Sequence, residues 1–179
     1  MSSRYYAQAV SRKDLRELAY VIRSEYGYID SWCLPIEILL DQLCIDDPNL
    51  SYEIVPDKEW EDSSTHAETD VINSTIRIKE SVYEGACNFR GRDRMTIAHE
   101  ISHYILVCIL GLKLYSRSSK TIKTFNDPEW QAKCLAAELL IPYHKLKKRK
   151  KNFTPDQIAF LCKVSNDAAT YQLQFLIGG

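Results

Sequence analysis

One pentapeptide constrains this chain more than any other stretch: His-Glu-Ile-Ser-His, residues 99–103, within RDRMTIAHEISHYIL, residues 92–106. Apolar residues recur at helical spacing on both sides of it, which predicts a helix that ends near Gly111. Residues four apart on a helix lie about 40° apart around its axis. His99 and His103 can therefore direct both imidazoles at one metal ion, at the distance of about 2 Å that zinc requires.

Glu100 follows the first of these histidines and is rotated by about 100° around the helix axis. It can stand beside the metal without being a ligand, and from there it can take a proton from an attacking water. A catalytic zinc makes this transfer easier because it lowers the pKa of water towards about 7. The pentapeptide thus contains both parts of a metallopeptidase site. The alternative is two histidines on a helix flank, bonded to backbone or water.

A catalytic zinc usually takes three protein ligands, and Glu129 is the preferred third candidate. It lies in the first turn of the next strongly predicted helix, where a carboxylate interacts favourably with the helix dipole. Glu138 is the competing candidate, but nine residues of helix rotate it to the opposite face. We expect Glu138 to point to solvent or to a basic partner. His66 and His144 are further candidates.

Hydrophobic periodicity predicts an α+β fold. Helical patterns cover residues 11–27, 35–43 and 128–142, and two short helices follow in the tail. Alternating apolar residues near 52–54 and 76–78 predict strands, with a polar loop or a short strand near Val71 between them. Residues 113–126 are predicted to be a loop. We expect a small, mostly antiparallel sheet packed on the helix that carries the pentapeptide.

Composition excludes several classes of protein. The formal net charge of −1 argues against a dedicated nucleic-acid binder, although KLKKRKK, residues 145–151, is strongly basic. No apolar run is long enough to cross a membrane, and the N-terminus lacks the apolar centre of a signal peptide. We therefore expect a cytoplasmic protein whose six cysteines are reduced thiols.

The run RMTIAHEISH, residues 94–103, is followed after a loop by EWQAKCLAAELLIP, residues 129–142. These two blocks resemble the ImmA/IrrE family of zinc metallopeptidases. Its members typically show Arg-Phe-Thr-Leu-Ala-His-Glu-Leu-Gly-His and then Glu-x-x-Ala-Asn-x-Phe-Ala-Ala-x-Leu-Leu-Met-Pro. The resemblance covers residues 92–142 well and residues 34–142 loosely.

The resemblance implies a single zincin-like domain and a gluzincin-like zinc endopeptidase. It implies Zn²⁺ on His99, His103 and Glu129, with Glu100 as the general base. We expect residues 1–142 to form the metallopeptidase core with its N-terminal helices. Residues 143–179 are expected to add a basic loop and a helical tail to the same domain.

Lys133 departs from the family pattern, which usually has Asn or Asp four residues after the third ligand. An Asn or Asp there could accept the N–H of a ligand histidine, whereas a charged lysine cannot accept a hydrogen bond. We expect Lys133 to pair instead with Glu129, one helical turn earlier, and to weaken metal binding or activity.

Family members commonly cleave a helix-turn-helix repressor, often encoded beside them on a mobile genetic element or in a stress-response locus. The resemblance therefore implies such a protein substrate. An extended substrate segment is expected to add to the sheet along the strand Thr75 to Lys79, for which plain core packing is the alternative. Tyr104, Tyr115 and His144 are candidate donors to the transition-state oxyanion.

Two functions of other classes stay open. The basic run and the tail TPDQIAFLCKVSNDAATYQLQFL, residues 154–176, have the rhythm of a DNA-binding helix-turn-helix, although a solvated basic loop also explains the run. A non-catalytic scaffold that senses metal or holds a repressor is the second alternative, and Lys133 favours it.

Overall fold

The computed structural model describes residues 5–60, 64–116, 123–148 and 153–175. It confirms the α+β fold. The helices over these residues are α1 Arg12–Glu25, α2 Ile36–Asp46, α3 Glu80–Cys87, α4 Gly91–Tyr104, α5 Pro128–Leu140, α6 Tyr143–Lys148, α7 Pro155–Cys162 and α8 Asn166–Leu173. The strands are β1 Tyr5–Ala7, β2 Ser51–Val55, β3 Ala67–Asp70, β4 Thr75–Lys79 and β5 Leu114–Ser116.

Side-chain caps explain where several helices begin. Ser11 accepts a hydrogen bond from the Asp14 amide at the start of α1, and the Asp14 side chain completes a capping box. Asp127 caps α5, with a proline at its first position as the sequence predicts. Thr154 caps α7 in the same way as Ser11 caps α1. These caps satisfy backbone N–H groups that have no partner within the helix.

The three-stranded sheet has the order β2-β4-β3, with β2 and β4 parallel and β3 and β4 antiparallel. A separate antiparallel pair joins β1 to β5. Two of these three pairings are antiparallel, as predicted. The prediction that Thr75 to Lys79 forms a sheet edge is wrong, because β4 is the central strand and both of its sides are hydrogen-bonded. Among the described strands of this sheet, β2 and β3 are the edges.

Helix α4 runs through the centre of the molecule. It contacts α2, α3, α5 and the strands β3 and β4. Its residues Ala98 and Ile101 are completely buried, as the apolar stripe of the sequence predicts, and Ile97 is buried as well. Beyond Tyr104 the chain continues as a π-helical turn, Ile105–Ile109, and Gly111 then adopts a φ of +63°. The predicted stop at Gly111 is confirmed, since glycine takes this conformation at little cost.

The turn between the C-terminal helices α7 and α8 contacts the start of α4. The buried Arg94 donates hydrogen bonds to the carbonyls of Lys163, between α7 and α8, and of Leu34. Gly91 lies so close to the Val164–Ser165 backbone that a Cβ there would come within 2.4 Å of it. These contacts join the tail to the metal-ligand helix. The last three residues of the basic run, 149–151, lie outside the described residues.

Candidate metal centre

The two histidines of α4 meet at their Nε2 atoms. His99 and His103 are one helical turn apart, and their Nε2 atoms are 3.1 Å apart, with the two rings nearly perpendicular. Both side chains are partly buried, and α4 is held in place by the core contacts of its opposite face. The spacing thus places two imidazole nitrogens at one point, as predicted.

Helix α5 brings Glu129 to the same point. The Asp127 cap accepts the Glu129 amide at 3.0 Å, which fixes the first turn of α5. The Glu129 carboxylate then spans both histidines, with Oε2 3.3 Å from His99 Nε2 and Oε1 3.4 Å from His103 Nε2. The ligand atoms of these three residues all lie within 4.8 Å of one another, and no other such group of three occurs among the described residues.

These distances fit a tetrahedral zinc ion. Ligand atoms that are each 2.0–2.1 Å from a tetrahedral zinc are roughly 3.3 Å from one another. The observed separations are 3.1 Å between the two imidazole nitrogens, 3.3 Å from His99 Nε2 to Glu129 Oε2 and 3.4 Å from His103 Nε2 to Glu129 Oε1. Two imidazole nitrogens and one carboxylate oxygen also match the ligand set of many catalytic zinc sites. His99, His103 and Glu129 could therefore hold a metal ion without a large rearrangement.

The imidazoles keep Glu129 ionised. Hydrogen bonds from His103 and then from His99 hold the pKa of Glu129 well below its usual range, and they outweigh the opposing effect of burial. An ionised carboxylate is the form that binds a metal, so the carboxylate is already in its ligand form.

Glu100, the residue after His99 on α4, is held by a contact from strand β3. It is only 8% exposed, and its Oε2 accepts a hydrogen bond of 2.7 Å from Thr69 Oγ1 on strand β3. The same hydroxyl lies 3.1 Å from the Glu100 carbonyl. Sequence reasoning missed Thr69, because nothing in the sequence links it to a residue 31 positions away. Strand β3 thus holds the predicted general base in place.

The expected pairing of Lys133 with Glu129 is wrong. Lys133 is exposed, and within the described residues the ion pairs of Glu129 are with the two histidines alone. The other nitrogen of His99, Nδ1, is buried and has no hydrogen-bond partner in the described part of the chain. A ligand histidine normally donates this N–H to an acceptor that fixes its ring. That acceptor is missing for His99 among the residues described.

The other metal-ligand candidates lie elsewhere. The side chain of Glu138 is fully buried and paired with Arg12 and Arg16 of α1, so the expected basic partner is confirmed and the solvent-facing alternative is wrong. His66 contacts Arg92 at 2.8 Å, and His144 contacts the Ile29 carbonyl at 2.9 Å. Neither histidine belongs to the cluster of His99, His103 and Glu129.

Two of the candidate oxyanion donors are committed to other contacts. The Tyr104 side chain is buried, and its hydroxyl donates to Asp47 at 2.6 Å. Burial and this contact raise the pKa of Tyr104 well above its usual range. The Tyr115 ring stacks on Tyr6 of strand β1, with their centroids 5.0 Å apart. The described contacts of these tyrosines do not support the predicted role.

A family model described as Peptidase_M78, IrrE N-terminal-like domain, matches residues 56–174, well over half of the chain. The chain belongs to this family. The resemblance seen in the sequence is therefore confirmed. Membership in Peptidase_M78 supports a metallopeptidase-like protein. The matched range contains α4, the start of α5 and the helices α7 and α8.

The fold of this Peptidase_M78 member is also similar to that of a solved protein described as a Mycobacterium tuberculosis transcriptional regulator. The TM-score is 0.60, with 16% sequence identity over 90% of this chain and 46% of that chain. At this identity the similarity shows the fold alone, and the present chain spans less than half the length of the regulator. No curated protein matches the chain. Among the described residues, no helix is both long and apolar enough to span a membrane.

Proposed function

We propose that the chain is a zinc-dependent endopeptidase. His99, His103 and Glu129 bind the zinc, and Glu100 acts as the general base. The observation that carries the proposal is the meeting of two imidazole nitrogens and one carboxylate, whose ligand atoms all lie within 4.8 Å of one another. A second, buried carboxylate follows the first ligand directly in the sequence, where an attacking water needs a proton acceptor.

Each of these residues contributes a separate part of peptide hydrolysis. A zinc ion bound at the cluster would supply Lewis acidity that polarises a peptide carbonyl and acidifies water. Thr69 holds one oxygen of the Glu100 carboxylate. The other oxygen can then take a proton from water as it attacks the carbonyl carbon and pass that proton to the leaving amine. The low exposure of Glu100 limits exchange of this proton with bulk water.

Strand β3 is the edge along which an extended substrate would lie. It is hydrogen-bonded to β4 on one side, and no described strand pairs with its other side. Its residue Thr69 contacts Glu100, so a peptide added to this edge would run past the general base. This edge replaces the strand Thr75 to Lys79 as the expected site of substrate pairing.

The proposed substrate is a helix-turn-helix repressor encoded near the gene for this chain. Family membership and the similarity in fold to a transcriptional regulator support a substrate related to regulation. The test incubates the zinc-loaded chain with that repressor and follows cleavage by mass spectrometry. Glu100→Gln is the control, because it keeps all three proposed ligands and removes the proton acceptor. Cleavage is expected with the native chain alone, and equal results with both proteins would refute the proposal.

A scaffold that binds metal and repressor without cleaving is the second candidate, and the unpartnered Nδ1 of His99 favours it. The repressor would then bind with unchanged mass, and Glu100→Gln would bind equally well. DNA binding receives less support. Neither α7 nor α8 contains a lysine or arginine with which to contact phosphates.

A further inference from the structure

A cavity lies on the face of α5 that is turned away from the metal centre. Its volume is about 470 Å³, within the range of small-molecule sites. Helix α1, the C-terminal end of α5 and helix α6 form its walls. Glu138 lines it, nine residues after Glu129, which places the cavity about 14 Å along the helix from that residue and about 180° around it. The proposed peptidase mechanism uses no residue of this cavity.

The walls of the cavity contain more buried positive than negative charge. The Glu138 carboxylate is completely buried and pairs with two arginines, Arg12 at 3.3 Å and Arg16 at 3.2 Å. Arg16 also lies over the ring of Tyr143, 3.5 Å from its centroid. One carboxylate thus faces two guanidinium groups, and it cannot neutralise any further cation.

Arg23 is such a further cation. It lines the cavity and is only 1% exposed. Its N–H groups donate to the carbonyls of Leu139, Tyr28 and Ser31, its Nε has no partner, and no described carboxylate pairs with it. Burial lowers the pKa of Arg23 to about 10, so it is still charged at neutral pH. A buried charge without a counter-ion destabilises a protein, and an anion in the cavity would relieve this.

The remaining walls suit a ligand with an anionic end and a flat apolar part. At the rim stand the exposed Lys147 and the exposed pair of Lys13 with Glu17, 3.9 Å apart, so the lining as a whole has four cationic side chains against two carboxylates. Tyr20, Tyr143 and His144 supply aromatic surface, with the rings of Tyr20 and His144 packed edge to face at 5.1 Å. Several cations around one opening favour a phosphate dianion over a single carboxylate. We propose that this cavity binds an organic phosphate that carries an aromatic ring, of the size of a nucleoside monophosphate.

Isothermal titration of the full chain tests this site with adenosine monophosphate as the probe. Adenosine alone and inorganic phosphate alone are the matched probes for the ring and the charge. We expect saturable binding of the monophosphate at a Kd below about 1 mM and weaker binding of either part. Glu129→Gln should bind the probe as the native chain does, which separates this site from phosphate held by a bound metal.

The double variant Lys13→Gln/Lys147→Gln should weaken binding about tenfold, since exposed charges make only modest contributions to ion pairing. Both lysines are at the rim, so the fold should be preserved, and Lys58→Gln, at an exposed residue of another region, is the control. No saturable binding of the monophosphate up to about 10 mM would overturn the proposal. Equal weakening by Lys58→Gln would overturn it as well. In either case Arg23 only holds the carbonyls of Leu139, Tyr28 and Ser31.

Discussion

Replacing Glu138 by glutamine should destabilise the fold and leave zinc binding intact. Replacing Glu129 by glutamine should weaken zinc binding and leave the stability of the metal-free fold nearly unchanged. Glu138 has no exposed side-chain surface, and its partners Arg12 and Arg16 are only 14% and 19% exposed. Removing one member of a buried ion pair costs about 3–5 kcal/mol, because the remaining charge is left uncompensated. Both arginines keep some access to water, so we expect a loss of about 3 kcal/mol. At this chain length that corresponds to a fall in Tm of roughly 6–12 °C.

Glu129→Gln should have the opposite effect. The Glu129 side chain is 41% exposed, so its contacts with the histidines contribute little to folding of the metal-free protein, about 1 kcal/mol or less. Its loss should weaken zinc binding by more than about 100-fold, since removing only an outer partner of a ligand already costs about 10–100-fold. Glu17→Gln is the matched control, because Glu17 forms an exposed pair with Lys13 at 3.9 Å. It should change stability by less than about 0.5 kcal/mol.

Urea unfolding of the metal-free proteins at pH 7 and competition titration with a zinc chelator measure the two effects. An unchanged m-value would show that the shift in midpoint reports stability. A fall of less than about 1 kcal/mol in the free energy of unfolding of Glu138→Gln would refute the assignment of Glu138 as a stabilising buried ion-pair partner. A loss of zinc affinity in Glu138→Gln, with the affinity of Glu129→Gln unchanged, would refute the assignment of Glu129 as the third ligand.

Three further predictions concern single side chains. Thr69→Val should lower kcat about tenfold with KM and zinc content unchanged, because it removes a hydrogen bond to the charged Glu100 carboxylate. Thr69→Ser should restore activity. A change in KM alone would contradict this prediction. Lys133→Asn should tighten zinc binding about tenfold by supplying an acceptor for a ligand histidine, and chelator titration showing no change would refute that role. Burial raises the pKa of both Cys134 and Cys162 to about 12, so about one thiol in 10⁴ is ionised at pH 8. Iodoacetamide followed by peptide mass spectrometry should modify the exposed Cys87 long before either, and modification of Cys134 or Cys162 first would contradict their burial.

Local signals predicted the parts of the fold that local chemistry determines. The Asp127-Pro128 pair fixes the start of α5, and the i, i+4 spacing of the two histidines fixes their common direction. Helix α3 was not predicted, because it is only eight residues long and has no side-chain cap. The short strands β1 and β5 were also missed, since the sequence pattern predicts a loop over residues 113–126. Each strand has three residues, and the two pair only through the tertiary fold.

The order of the strands in the sheet could not be predicted from the sequence. Alternating apolar residues predicted β2 and β4, but alternation does not say which strands are neighbours. Because β4 lies between β2 and β3, β3 is an edge strand of this sheet. Its residue Thr69 contacts Glu100. The burial of Glu138 was not predicted, although a basic partner was one of the two alternatives. Helical geometry gave its face, but only the packing of α1 shows that two arginines cover it.

Zinc K-edge absorption spectroscopy of the purified chain tests whether His99, His103 and Glu129 hold a zinc ion. We expect one zinc per chain, with two imidazole nitrogens and carboxylate or water oxygens at about 2.0–2.2 Å and no sulfur ligand. In Glu129→Gln the stoichiometric zinc should be lost, while Glu138→Gln should give the spectrum of the native protein. A metal-free native chain, or a sulfur ligand at about 2.3 Å, would contradict the assignment of His99, His103 and Glu129.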